Sequence, residues 1–354
     1  MTPSVVATWI RRLALAGVLL GFCVVVMGAY VRLTAAGLGC PDWPGCYGHI
    51  TPSGAQQSVE AQAAYPNRPL DVGKAWREMI HRYGASTLGL ICVGIAALAI
   101  VGRRSRPIPL GYGLGLFGIV VLQGILGMLT VTWRLKPAIV TAHLLFGLTT
   151  VSLLWWLWLS VPKNAGWGKA QTTGGTAVGG NEPAASSARR LVLLALAVLA
   201  VQIALGGWTS SNYAAVACPD FPKCQASWWP HTDYGNAFVL WRGLGIDYEG
   251  GVLDNPARVA IHLTHRLGAV AATLALLTVA LVTVVKIRRR QPRVAAAAVL
   301  ATLALQLSIG ITMVLKGFPL WLATAHNAGA ALLLLATLAL AWTLWSEAAR
   351  RRLR

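Results

Sequence analysis

Eight apolar runs constrain this chain more than any other feature. They lie at about 12–34, 79–101, 109–132, 138–161, 190–212, 258–285, 294–315 and 319–345, each near the ~20 residues a helix needs to cross the hydrocarbon core of a bilayer. Hydrophobic residues make up 56% of the 354 and charged residues 12%, a balance that leaves too little polar surface for a soluble domain of this length. The expected fold is an all-α integral membrane protein with eight transmembrane helices. The first run follows Arg11 and Arg12. Its apolar core is longer than that of a signal peptide and no small-residue cleavage site ends it, so it reads as a retained anchor.

A formal net charge of +19 would suit a nucleic-acid binder, but the basic residues recur at alternate ends of the runs instead of forming one basic domain. Arg11 and Arg12, then Arg103, Arg104 and Arg106, then Lys163, Lys169, Arg189 and Arg190, then Lys286 to Arg293, and finally Arg350 to Arg354 fall on one side of an eight-span arrangement. The positive-inside rule makes that side cytoplasmic, with both termini. The long loops, about 35–77 and 213–257, then lie outside. The partners implied are membrane lipid and no nucleic acid.

The segment 162–189 is rich in Gly, Ala, Ser and Thr and reads as a flexible cytoplasmic linker between halves 1–161 and 190–354. The halves repeat each other. "CPDWPGC" at Cys40 returns as "CPDFPKC" at Cys218, "HRYGA" at His81 as "HRLGA" at His265, and "TAH" at Thr141 as "TAH" at Thr324. "LQGILGMLTV" at Leu122 likewise answers to "LQLSIGITMV" at Leu305. The offset is 178 residues through the first cysteine pair and 183 or 184 afterwards, so the second copy carries a slightly longer loop. Four spans per half give both copies one orientation, and the expected architecture is two tandem pseudo-symmetric four-helix bundles.

Four of the seven histidines, His81, His143, His265 and His326, occupy matching repeat positions within the first turns of a span. Ionisable residues inside a span are costly and mark function by default. Two neutral imidazoles from facing helices suit the iron of a haem, so His81 with His143 and His265 with His326 are read as two haem-iron sites. The competing reading is four hydrogen-bonding residues that join helices. Arg82 and Arg266 follow their histidines and would either pair with a haem propionate or snorkel to the interface. Three residues before His81 stands Glu78, whereas three residues before His265 stands His262. That spacing puts the two side chains on one helix face, about 4.5 Å apart along the axis. Glu78 is therefore either a proton acceptor beside the first site or an exposed acid at a helix N-terminus. His262 is an alternative ligand that the repeat alignment disfavours. His49 and His231, in the long loops, read as solvent-facing.

Cys23 and Cys92 read as small buried hydrophobes. Cys40 with Cys46 and Cys218 with Cys224 face an oxidising compartment, where disulfides are expected. A structural staple, a redox-active pair and a four-cysteine zinc site remain open, zinc being disfavoured by the spacing.

With "EMIHR" at Glu78 to Arg82, "HRLGA", the repeated "TAH" and a cysteine pair in each long loop, nearly the whole chain resembles the heme A synthase family. The resemblance implies an oxidoreductase of the bacterial inner membrane that oxidises the C8 methyl group of haem O to a formyl group, with oxygen derived from water. It implies a haem B cofactor on His265 and His326, with Arg266, in the C-terminal half. Haem O would be held by His81 and His143, with Arg82, in the N-terminal half, and Glu78 would be catalytic. It further implies a haem O synthase upstream and an electron acceptor, and leaves a homo-oligomer open. The other classes that the residues allow are a dihaem b-type electron carrier and a quinone-linked dithiol oxidase.

Overall fold

The computed structural model describes residues 3–103, 108–161 and 182–352. Its framework is eight long helices: α1 (Pro3–Leu33), α2 (Val72–Val101), α3 (Leu110–Thr132), α4 (Pro137–Ser160), α5 (Glu182–Ser211), α6 (Asn255–Lys286), α7 (Arg290–Leu315) and α8 (Leu320–Arg352). Every one contains a stretch long and apolar enough to cross a membrane. Short helices at Pro52–Gln57, Val59–Ala63 and Tyr234–Ala237 lie in the two long loops.

Helix boundaries follow caps more closely than hydropathy. Helix α2 begins at Val72, ahead of its apolar run, because the Asp71 side chain accepts the N–H of Lys74 at 3.0 Å. Pro137 opens α4, a first-turn position where its missing N–H costs nothing. Helix α5 begins at Glu182, inside the stretch read as linker, while 162–181 lie outside the described residues, as do Arg104, Arg106, Lys163, Lys169 and the last two of the Arg350 to Arg354 run. Two C-terminal caps recur at repeat positions. The N–H of Ala36 reaches the carbonyl of Val31 and that of Ala214 reaches Thr209, each 2.9 Å, after Ala35 and Tyr213 turn left-handed. Leu135 to Thr130 and Phe318 to Met313 repeat the device, each 2.8 Å.

Helix α1 packs on α2 and α4, α2 on α3, and α3 on α4, closing a ring of four; α5 to α8 make the corresponding set of contacts. Each ring has its own core, around Ile10, Leu88, Ile95 and Leu154 in the first and Leu199, Leu276, Val299 and Leu340 in the second. The halves meet where α1 and α4 face α5 and α8. Gly207 sits there against Leu144 and Thr141, and a Cβ in its place would lie 3.0 Å from the Leu144 side chain. Small residues at such crossings let helices approach in lipid, where apolar burial gives little drive of its own. Trp155 adds an indole hydrogen bond to the Leu335 carbonyl across the same seam, 3.0 Å. Outward, Leu19, Leu90, Val201 and Leu274 are each more than 60% exposed. A surface this apolar is compatible with lipid rather than water.

At the face carrying the long loops, the second loop crosses onto the first half. Tyr248 is buried with Leu38, Val131 and Leu135, and its N–H meets the Arg134 carbonyl at 3.2 Å. Lys136, 1% exposed, donates to the Gly243 carbonyl at 2.6 Å with its ammonium 3.0 Å from the centre of a Trp241 ring. Arg68 of the first loop pairs with both Asp247 and Glu249 of the second.

Candidate functional site

Two side-chain pairs face each other across the rings. His81 on α2 is opposed by His143 on α4, and His265 on α6 by His326 on α8; within each pair the rings are close enough to interact electrostatically. All four are half-buried on their spanning helices. Each imidazole rests on a glycine of the preceding helix. A Cβ at Gly28 would lie 2.9 Å from His81, at Gly127 3.4 Å from His143, at Gly206 3.2 Å from His265 and at Gly310 2.9 Å from His326. Gly28, Gly206 and Gly310 therefore set where the rings sit, and a side chain at any of them would press on a histidine, whereas a Cβ at Gly127 would make an ordinary contact.

The Nδ1 atoms of His81, His143 and His326 are buried without a hydrogen-bond partner, as is that of His262 outside the pairs. An orphaned polar atom in an apolar interior costs about 1–3 kcal/mol and calls for an explanation. A metal ion engaging the ring supplies one. Among the described residues no group of three or more His, Cys, Asp or Glu could hold a bare ion. Two opposed imidazoles in an apolar ring suit a metal whose other ligands come from a macrocycle, and the residues present fit a haem in each half.

Above the histidines sit the two cysteine loops, each closed by a disulfide, Cys40–Cys46 and Cys218–Cys224. Pairing within each loop removes the four-cysteine zinc reading. The loops are built alike. Asp42 accepts the N–H groups of Tyr47 at 2.6 Å and Gly48 at 2.7 Å, and Asp220 those of Gln225 at 2.6 Å and Ala226 at 2.9 Å. Desolvation raises the Asp220 pKa, but these amide bonds, with the Arg266 charge nearby, outweigh it and hold the carboxyl below its usual range. Arg82 donates to the Asp42 carbonyl at 2.9 Å and to Gly45 at 2.6 Å; Arg266 donates to Asp220 at 2.8 Å and Lys223 at 2.7 Å. The two guanidiniums, read from sequence as propionate partners or snorkelling groups, thus dock the loops onto their helices.

The halves part at the residue three before the first histidine of each pair. Glu78 is 4% exposed, so it is no solvated helix-end acid. One carboxylate oxygen accepts the Cys40 N–H at 2.9 Å and the other accepts Arg82 at 2.6 Å. Its counterpart His262 is buried, turns its ring toward the backbone of Ala214 and Ala215, and packs edge-on against Phe318. Among the described residues, therefore, the first half carries an acid between its cysteine loop and its histidine pair and the second does not.

Other readings change in detail. Cys92 is buried, but Cys23 is exposed on the lipid-facing side of α1. His231 is exposed, whereas His49 is half-buried with its backbone bridged to Cys46. Sequence reasoning passed over Gln202, whose amide lies 3.1 Å from His265, and Gln306, 3.3 Å from His326. The available signal was a glutamine inside an apolar span. For the glycines under the histidines it was recurrence at the repeat offsets.

The fold and sites define a multi-pass membrane protein with a histidine pair in each of two four-helix units. The family model described as cytochrome oxidase assembly protein (COX15-CtaA) matches residues 11–338. A heme A synthase of Shewanella oneidensis is 39% identical over 96% of this chain and 97% of its own length. Those of Rhizorhabdus wittichii and Sphingopyxis alaskensis are 30% and 27% identical, each over 95% of this chain. The chain belongs to the heme A synthase family.

Proposed function

We propose that this protein converts haem O to haem A in the bacterial inner membrane by oxidising the C8 methyl group to a formyl group, the oxygen coming from water. Its termini are cytoplasmic and its cysteine loops outside. The N-terminal unit, 1–161, is the substrate half, where His81 and His143 hold and orient the substrate haem. The C-terminal unit, 190–354, is the cofactor half, where His265 and His326 hold haem B. Haem B, when bound, supplies a one-electron redox centre for taking electrons from the substrate. Glu78 is the catalytic residue. Arg82 and the Cys40 N–H fix the position of its carboxyl group in an otherwise apolar setting, where it would take a proton from the carbon being oxidised or stabilise positive charge there. Arg82 and Arg266 hold the loops that close the rim of each site and keep bulk water away.

The observation that carries this reading is the buried Glu78 beside the first of the two histidine pairs, where the second has His262 in its place. A carrier that leaves both haems unchanged has no use for that asymmetry. The test is expression with and without a supply of haem O, followed by chromatography and mass analysis of the extracted haems. Hydroxymethyl and formyl products support synthesis. Unmodified haem B alone, despite ample haem O and an oxidant, would favour the dihaem carrier.

A further inference from the structure

The glutamines inside the spans divide the two halves. On α5, the Gln202 amide nitrogen lies 3.1 Å from Nδ1 of His265 and 3.0 Å from the same residue's carbonyl oxygen. On α7, that of Gln306 lies 3.3 Å from Nε2 of His326. Both amides drop into holes left by glycines one turn beyond the histidines. A Cβ at Gly268 would lie 2.2 Å from Oε1 of Gln202, and one at Gly329 2.2 Å from Oε1 of Gln306.

The N-terminal half is arranged otherwise. Val24 takes the place of Gln202, so the His81 ring, whose Nδ1 is buried without a hydrogen-bond partner, meets no side-chain amide there. Gln123, the counterpart of Gln306, lies beside Gly147; its Oε1, like those of Gln202 and Gln306, is buried without a partner. Among the described residues, then, both C-terminal histidines have a glutamine amide within reach and neither N-terminal histidine does.

A partner on the non-ligating side of an iron-bound imidazole fixes its orientation and raises its basicity, and its loss typically costs about 10–100-fold in metal affinity. An iron on Nε2 would leave Nδ1–H as a donor, so Gln202 would serve it by presenting its amide oxygen after a flip, in exchange for its bond to the His265 carbonyl. We propose that Gln202, through Nδ1 of His265, is the positioning residue that makes the C-terminal half the place of a permanently held haem. Val24 leaves His81 a more readily exchanged ligand, suited to a haem that enters as substrate and leaves as product. This rests on the paired-histidine reading given above.

The test uses purified holoprotein and follows haem transfer to excess apomyoglobin, together with the midpoint potential and low-temperature absorption of the C-terminal haem. Gln202→Val should speed its release by about 10–100-fold and move both spectrum and potential. Gly268→Ala keeps the glutamine but displaces its amide, and should shift all three readouts the same way, which guards against a misfolded Gln202 variant. Val24→Gln should slow release from the N-terminal half. Wild-type release and potential in Gln202→Val or Gly268→Ala, or wild-type release from Val24→Gln, would overturn the proposal. His265→Ala separates the layers. If it retains its full haem B content, the site assignment itself fails; if it loses haem while Gln202→Val is unchanged, only the role of Gln202 fails.

Discussion

Gly28 and Gly206 sit at matching places on α1 and α5, and each leaves room for a histidine ring that any side chain would displace. Gly28→Val should therefore empty the N-terminal site while sparing the C-terminal one, and Gly206→Val should do the reverse. Haem content per chain by pyridine haemochrome assay, with extraction to say which haem is left, reads the outcome; full retention of both in either variant would contradict the ring placement. The histidines themselves stood out in the sequence, because four ionisable residues recur in apolar spans at an offset of 183 or 184. The surroundings of Glu78 did not. Its bonds to Arg82 and the Cys40 N–H depend on how a loop thirty-odd residues upstream folds back onto α2, and no local pattern carries that information.

At the scale of elements, the two cysteine loops are near copies with unequal duties. Each disulfide closes a short loop and should contribute about 2 kcal/mol on loop-entropy grounds. The first loop also presents the amide that holds Glu78, whereas the second has no acid beneath it. Replacing Cys218 and Cys224 with Ser is expected to lower the melting temperature in detergent while leaving haem conversion near that of wild type. Replacing Cys40 and Cys46 should lower both. Equal loss of conversion from the two double variants would show that the loops share one role. The eight spans were legible from hydropathy alone, but their polar first turns were not: Asp71 extends α2 ahead of its apolar run, a capping effect that hydropathy does not register.

Across the whole molecule, the second long loop ties the halves together at one face. Lys136 is the buried centre of that contact, held by the Gly243 carbonyl and the face of Trp241. Lys136→Met keeps much of the volume and removes the charge. Losing a desolvated cation–π contact of about 2 kcal/mol should raise protease cleavage within 238–254 roughly 30-fold where opening is fast. Unchanged cleavage would mean the strap is held by its apolar contacts. The repeat revealed in sequence that there are two bundles, yet not that a loop of the second covers the first, since such a contact joins residues more than a hundred positions apart. The central claim concerns the division of labour between these halves, chemistry in one and a resident cofactor in the other. Its most direct test is the haem extracted from Glu78→Ala expressed with haem O. The account predicts a protein that holds haem B and unconverted haem O, with no hydroxymethyl or formyl product; conversion at the wild-type level would contradict it.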